Sequence, residues 1–230
     1  MSYFGALAPV AYIGHTTARV FVNLANTFAD KWLETVGVEE FAASSSVFQQ
    51  FFSRVRCVYA PDACQSLLQV IFGPSQNINA SRVQGYVAQV PAGTSIKNVA
   101  HFAQGIRDDT FRSYDYGCSC YRALPLSLCS VAMCANKRVH GAFDPPEFEL
   151  DAIEFPRIAF FSGDDDIMAT ARDIDRLRAK LPSRTTISDK VVAAFSHVDF
   201  VWGVNAHETV FTPMSSRTSS SSIPSEKGYD

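Results

Sequence analysis

Apolar residues change their period twice along this chain. Residues 3–13 read as a short buried strand that Pro9 breaks, and a helical pattern follows for roughly a hundred residues. Within it Val20, Leu24, Phe28 and Trp32 recur every four positions, and Val47, Phe48, Phe51, Phe52 and Val55 form a second apolar face. A third helix is predicted near Asp62, just past Pro61, and a fourth near Thr94, whose hydroxyl can cap it while Ile96, Val99, Ala103 and Ile106 face inward. Gly73-Pro74 and Pro91-Ala92-Gly93 punctuate the pattern. Beyond Pro156 the period becomes that of an α/β unit. Residues 157–161 form an apolar strand, 162–166 a tight acidic turn, and Ile174, Leu177 and Leu181 one face of a helix that Pro182 ends. A second strand over 185–192 leads to a turn bearing His197. A crossover of this kind makes the two strands parallel and puts both turns at the carboxyl edge of the sheet, where open α/β sheets bind ligands. A carboxylate and a histidine then converge.

Composition narrows the function. The 230 residues are 47% hydrophobic and only 19% charged, a globular composition that leans apolar. With 20 basic against 23 acidic residues the chain carries no electrostatic footprint for nucleic acid, so no nucleic-acid partner is expected. The longest nearly apolar stretch, 123–135, is interrupted by Pro125 and is too short for the roughly 20 residues of a transmembrane helix. Met1-Ser2-Tyr3-Phe4-Gly5 offers no basic lead or cleavage site, so no signal peptide is read in this chain. Six cysteines and the glycosylation acceptor Asn79-Ala80-Ser81 point instead to an oxidising compartment. The two indications agree if residue 1 is not the true beginning of the gene product.

The glycines exclude several chemistries. No two of the 12 stand closer than Gly85 and Gly93, so the chain has no phosphate loop, no dinucleotide-binding turn and no G-x-S-x-G nucleophile elbow. No cofactor is expected. His207-Glu208 lacks the second histidine of a zinc protease, and the spacing of Cys118, Cys120, Cys129 and Cys134, with no histidine pair, is a weak zinc signal.

Several stretches carry a family resemblance. Leu7-Ala8-Pro9-Val10-Ala11 with His15-Thr16, Asn79-Ala80-Ser81-Arg82, Pro91-Ala92-Gly93-Thr94-Ser95-Ile96-Lys97-Asn98, Tyr114-Asp115-Tyr116-Gly117 and Ser196-His197-Val198-Asp199-Phe200-Val201-Trp202-Gly203 resemble, in order, the acid lipase family of α/β-hydrolases. Gastric and lysosomal acid lipases are its familiar members, and the likeness runs from about Phe4 to about Phe211 of this chain. It implies an α/β-hydrolase fold, truncated to the last strands of the sheet plus an inserted helical cap. It also implies a carboxylic ester hydrolase acting on triacylglycerol or cholesteryl ester at a lipid–water interface, and a secreted or lysosomal location. His197 matches the family's catalytic base. The triad acid falls in Gly163-Asp164-Asp165-Asp166, where counting back from Asp173-Ile174 selects Asp166 and leaves Asp165 as the one-residue alternative. Cys57 and Cys64 match the family's cap disulfide.

In such a triad the imidazole takes the proton of a serine, and a buried carboxylate fixes the imidazole's tautomer and stabilises its cation. The serine would lie outside this chain. The expected organisation is a core strand over 1–14, a mainly helical cap over 15–117, a cysteine-rich insertion over 118–134, a hydrolase core with the Asp and His turns over 135–214, and a disordered serine-rich tail over 215–230. His15, His101, His140 and His207 read as structural or exposed. A non-catalytic lipid-binding relative and a cysteine-rich interaction or metal module are the alternative readings.

Overall fold

The computed structural model describes residues 4–41, 61–87, 93–118, 121–123, 126–128, 131–155 and 157–219. Three parallel strands form its central sheet in the order β1-β6-β7, with β1 at Phe4–Leu7, β6 at Ile158–Gly163 and β7 at Thr186–Val192. All six residues of β6 are buried, as a run of apolar side chains covered on both faces requires. Strand alternation sends its side chains to two cores. Ala159 and Phe161 pack with Ile174, Val192, Phe195, Phe200 and Val210, while Ile158 and Phe160 pack with Ala6, Tyr12, Leu177 and Leu181. Each buried phenylalanine contributes about 1.5–3 kcal/mol relative to exposure. The helix Ala171–Lys180 joins β6 to β7 and supplies both cores through Ile174 and Leu177; Thr170 caps its start and Pro182 follows its end. The predicted strand–turn–helix–strand unit is therefore present, and its strands are parallel.

Between β1 and β6 lies the helical block. Helices Arg19–Asn26 and Ala29–Thr35 pack on the helix Ile96–Asp108, and the Arg107 guanidinium fastens them by a bidentate pair to buried Asp30 at 2.8 and 3.0 Å. A short antiparallel pair, β2 at Glu40–Phe41 and β3 at Thr94–Ser95, closes this group. The helix Pro61–Phe72 and the helix Val83–Val87 form a third apolar cluster around Cys64, Leu68 and Val83, against which Trp202 packs. A disulfide joins Cys118 to Cys134 at the base of a hairpin of β4, Tyr121–Ala123, and β5, Leu126–Leu128.

Three expectations change, and one alternative reading narrows. The period-four pattern from Val20 to Trp32 predicts one continuous helix with that face inward, whereas Phe28 adopts a left-handed backbone with φ of 53° and divides it into two. Leu24, Phe28 and Trp32 are exposed, and buried Ala25 and Asp30 carry the packing instead. Ser95, not Thr94, caps the fourth helix, its hydroxyl accepting from Asn98 N at 3.1 Å; the Thr94 hydroxyl accepts from the Asn98 side chain. The helix Thr212–Ser219 carries regular structure five residues into the stretch expected to be disordered, and residues 220–230 lie outside the described residues. The disulfide commits Cys118 and Cys134 to each other, which removes both from any zinc set; Cys120 and Cys129 lie outside the described residues. The second predicted apolar face, with Val47 and Phe51, lies there too. No helix among the described residues is long and apolar enough to cross a membrane.

Candidate active site

The carboxyl ends of β6 and β7 are stitched together by their turns. Asp164 N donates to Val192 O at 3.3 Å, Asp165 N donates to Phe195 O at 3.2 Å, and the Asp164 carboxylate accepts from Ala194 N at 2.6 Å. That last bond steadies Ala194 in a left-handed conformation, φ 56°, that costs a non-glycine residue about 1–2 kcal/mol. Gly163 permits the closeness, because a Cβ there would collide with the Phe195 carbonyl.

This stitching brings Asp166 and His197 together. His197 Nδ1 lies 3.0 Å from Asp166 Oδ2, and the Asp166 side chain is fully buried while His197 is partly open. The other carboxylate oxygen accepts from Met168 N and Ala169 N, both at 2.8 Å. A carboxylate so held accepts the Nδ1 proton, fixes the imidazole plane and leaves Nε2 as the basic nitrogen. No described residue hydrogen-bonds that Nε2. Asp164 and Asp165 are exposed, so among the three consecutive aspartates only the Asp166 carboxylate meets His197.

Of the remaining histidines, three are held by neighbours and one is exposed. His101 Nε2 meets Arg112 O at 2.8 Å, His140 Nε2 meets Tyr114 O at 2.9 Å, and His207 is exposed on a π-helical turn, His207–Phe211. His15 forms a second imidazole–carboxylate pair that the sequence does not announce: its Nδ1 is 2.7 Å from Asp173 and 3.7 Å from Asp109. The three ligand atoms lie within 4.8 Å of one another, a spacing suited to a metal ion. Arg176 sits 2.8 Å from Asp109, however, so the protein supplies the balancing cation itself.

Asn79 is exposed, and its side-chain oxygen accepts from Ser81 N at 3.0 Å and Ser81 Oγ at 2.7 Å. Cys64 is disulfide-bonded. Cys57 lies outside the described residues. Buried Ser75 and Asp199 and partly buried Asn77 form a polar group beside the histidine turn. Sequence reasoning missed it, because Ser75 and Asn77 stand 124 and 122 residues before their partner and no local motif marks them.

No family model matches the chain. Individual proteins do. It is 28% identical over 217 residues to Lipase lipl-1 of Caenorhabditis elegans, which covers 92% of this chain and 50% of that protein. Triacylglycerol lipase 2 of Arabidopsis thaliana is 31% identical over 208 residues, 89% of this chain and 46% of the relative. Human gastric triacylglycerol lipase is 27% identical over 219 residues, 94% and 50% of the two chains. The chain thus spans about half the length of the curated relatives it matches. Over about nine-tenths of its length the chain is thus similar to gastric and other triacylglycerol lipases, and its parallel sheet suits the α/β-hydrolase fold that such relatives imply.

Proposed function

We propose that this chain supplies the base and the acid of a Ser-His-Asp ester hydrolase acting on neutral lipid esters, triacylglycerol or cholesteryl ester, with the serine outside the 230 residues. The observation that carries the reading is the partly open His197 imidazole, 3.0 Å from buried Asp166 at the carboxyl edge of the sheet, with Nε2 uncommitted among the described residues. In the reaction, Nε2 takes the serine proton as the hydroxyl attacks the ester carbonyl and then delivers it to the leaving alcohol; water reverses the sequence on the acyl-enzyme. Asp166 stays ionised and holds the imidazolium. Two findings support a serine elsewhere: the glycine spacing excludes the elbow from this sequence, and the relatives are about twice as long as the match. The oxyanion donors, one of which follows the serine in this fold, belong with it. The chain is then the C-terminal portion of a hydrolase core, residues 1–14 and 135–214, carrying a helical cap over 15–117 and an insertion over 118–134.

The same reading places the complete protein in the secretory pathway or lysosome, with Asn79 glycosylated and Cys57 bonded to Cys64. The exposed sequon and the oxidised Cys64 support this. The deciding experiment joins the chain to a serine-bearing segment from the same transcript and measures hydrolysis of a short-chain ester. The joined protein turns over; the 230 residues alone do not. Equal hydrolysis by the isolated chain would overturn the division of the triad, and no hydrolysis by the joined protein would favour a non-catalytic lipid-binding relative.

A further inference from the structure

Asp199 is a fully buried carboxylate, and no cation among the described residues pairs with it. Burying such a charge is costly unless donors surround it. Here the donors come from two distant parts of the chain. Ser196 N, on the residue directly before His197, donates to Oδ2 at 2.8 Å. Ser75 Oγ donates to Oδ1 at 2.5 Å and Asn77 Nδ2 to Oδ2 at 3.1 Å, both from the loop that follows the helix Pro61–Phe72. Asn77 reaches further: its Nδ2 donates to Ala194 O at 2.6 Å, its carbonyl accepts from Val204 N at 2.9 Å, and its Oδ1 accepts from Asn205 Nδ2 at 3.1 Å. The histidine turn is therefore gripped on both sides of His197. An apolar seam runs beside the grip, where Trp202 stacks on Tyr86 at 5.0 Å and meets Phe72 edge-on at 6.3 Å.

We propose that Asp199 is a positioning residue for His197, and that through Ser75 and Asn77 it makes the imidazole's placement depend on the docking of the helical block. The inference rests on reading His197 as the base. Neutral donors hold the carboxylate, so its value lies in geometry: one acceptor group fixes the backbone at Ser196 and the loop at Ser75–Asn77 to each other. Asparagine at 199 has the same volume, but its NH2 fits only the Ser75 side, where the hydroxyl must turn from donor to acceptor and its own proton loses this partner, which loosens one side of the grip. Since a misplacement of about 1 Å can cost about 100-fold in rate, a small rotation of this turn is enough to weaken catalysis.

The test uses the complete enzyme, this chain joined to the serine-bearing segment, with Asp199→Asn, the double variant Ser75→Ala/Asn77→Ala, and His197→Ala as the control. Two quantities are read: kcat and KM on a soluble short-chain ester, and the far-downfield proton resonance of the His197–Asp166 hydrogen bond. Asp199→Asn should lower kcat by up to about 100-fold with KM nearly unchanged, and should broaden or remove the downfield resonance. The double variant should move both readouts the same way by less, and it decides the matter if Asp199→Asn does not fold. A folded Asp199→Asn enzyme, or a folded double variant in its place, with wild-type kcat and an intact resonance overturns the proposal. Turnover that survives His197→Ala overturns the triad reading instead, and the resonance then still reports whether Asp199 places the imidazole.

Discussion

Two histidine–aspartate pairs in this molecule share nearly the same local geometry and stand in different surroundings. His197 meets Asp166 at 3.0 Å and His15 meets Asp173 at 2.7 Å, each through Nδ1. Both carboxylates are buried, and the two imidazoles are 23% and 24% exposed. What separates them is the surroundings. Asp173 also accepts from the backbone N–H of His15 itself and from Thr170 Oγ1, while Asp109 and Arg176 complete a cluster of four ionisable side chains. Such a network fastens the segment after β1 to the helix Ala171–Lys180. His197 faces one carboxylate, which is braced by backbone N–H groups, and it stands at the carboxyl edge of the sheet. The lesson is that a His–Asp distance alone does not mark a candidate base: His197 is set apart by its single carboxylate partner and its place at the carboxyl edge of the sheet, His15 by a second carboxylate and an arginine closing round it.

The largest effects should separate the pairs outright. In the complete enzyme His197→Ala should abolish turnover and Asp166→Asn should lower kcat by about 10⁴, the order found when the acid of a serine-protease triad is so changed. Asp173→Asn should leave kcat per folded molecule unchanged. A crippling Asp173→Asn in a stable protein would break the comparison. Next comes Gly163→Ala, which must push Phe195 away and with it the turn that carries His197. It should destabilise by about 3 kcal/mol on denaturant unfolding and lower kcat as well, linking stability to activity at this pair alone.

His15→Ala should show the reverse signature. It removes one partner of buried Asp173 but leaves Thr170 and the backbone N–H, so a loss of about 1–2 kcal/mol in unfolding free energy is expected with kcat intact. Asp165→Asn is the smallest change. The side chain is exposed beside the site and should alter stability by less than about 0.5 kcal/mol and kcat not at all. If it were instead as damaging as Asp166→Asn, the triad acid would be the neighbour.

Much of the catalytic edge could be read before the structure. A strand apolar at every position, an acidic turn, a helix stopped by Pro182 and a second strand form a local pattern, and local patterns determine local structure. That pattern brings one carboxylate of the acidic turn and His197 to the same edge of the sheet, while the choice of Asp166 among the three aspartates rests on the likeness to acid lipases, and its carboxylate is the one that meets His197. His15–Asp173 could not be read in this way, since its partners stand 158 residues apart and belong to no shared motif. Phe28 misled for a different reason. A period of four marks a helical stripe but does not reveal that the backbone reverses within it, and here the left-handed Phe28 turns that stripe toward solvent. The polar group around Asp199 escaped notice because hydrogen-bond complementarity between distant side chains leaves no periodicity.

The cysteine bridge at the foot of the hairpin also bears on how this gene can change. Cys118 and Cys134 face each other across an antiparallel bridge, and just outside them Asn136 is locked to Asp115 at 2.7 Å and to Tyr116 N at 2.8 Å. The frame is thus closed before the hairpin begins, so changes of length at the hairpin should be felt less by the scaffold than changes outside the bridge. The segment between the two cysteines is therefore the natural grafting point, where a new loop should be accepted while the bridge and the Asn136 contacts hold the frame.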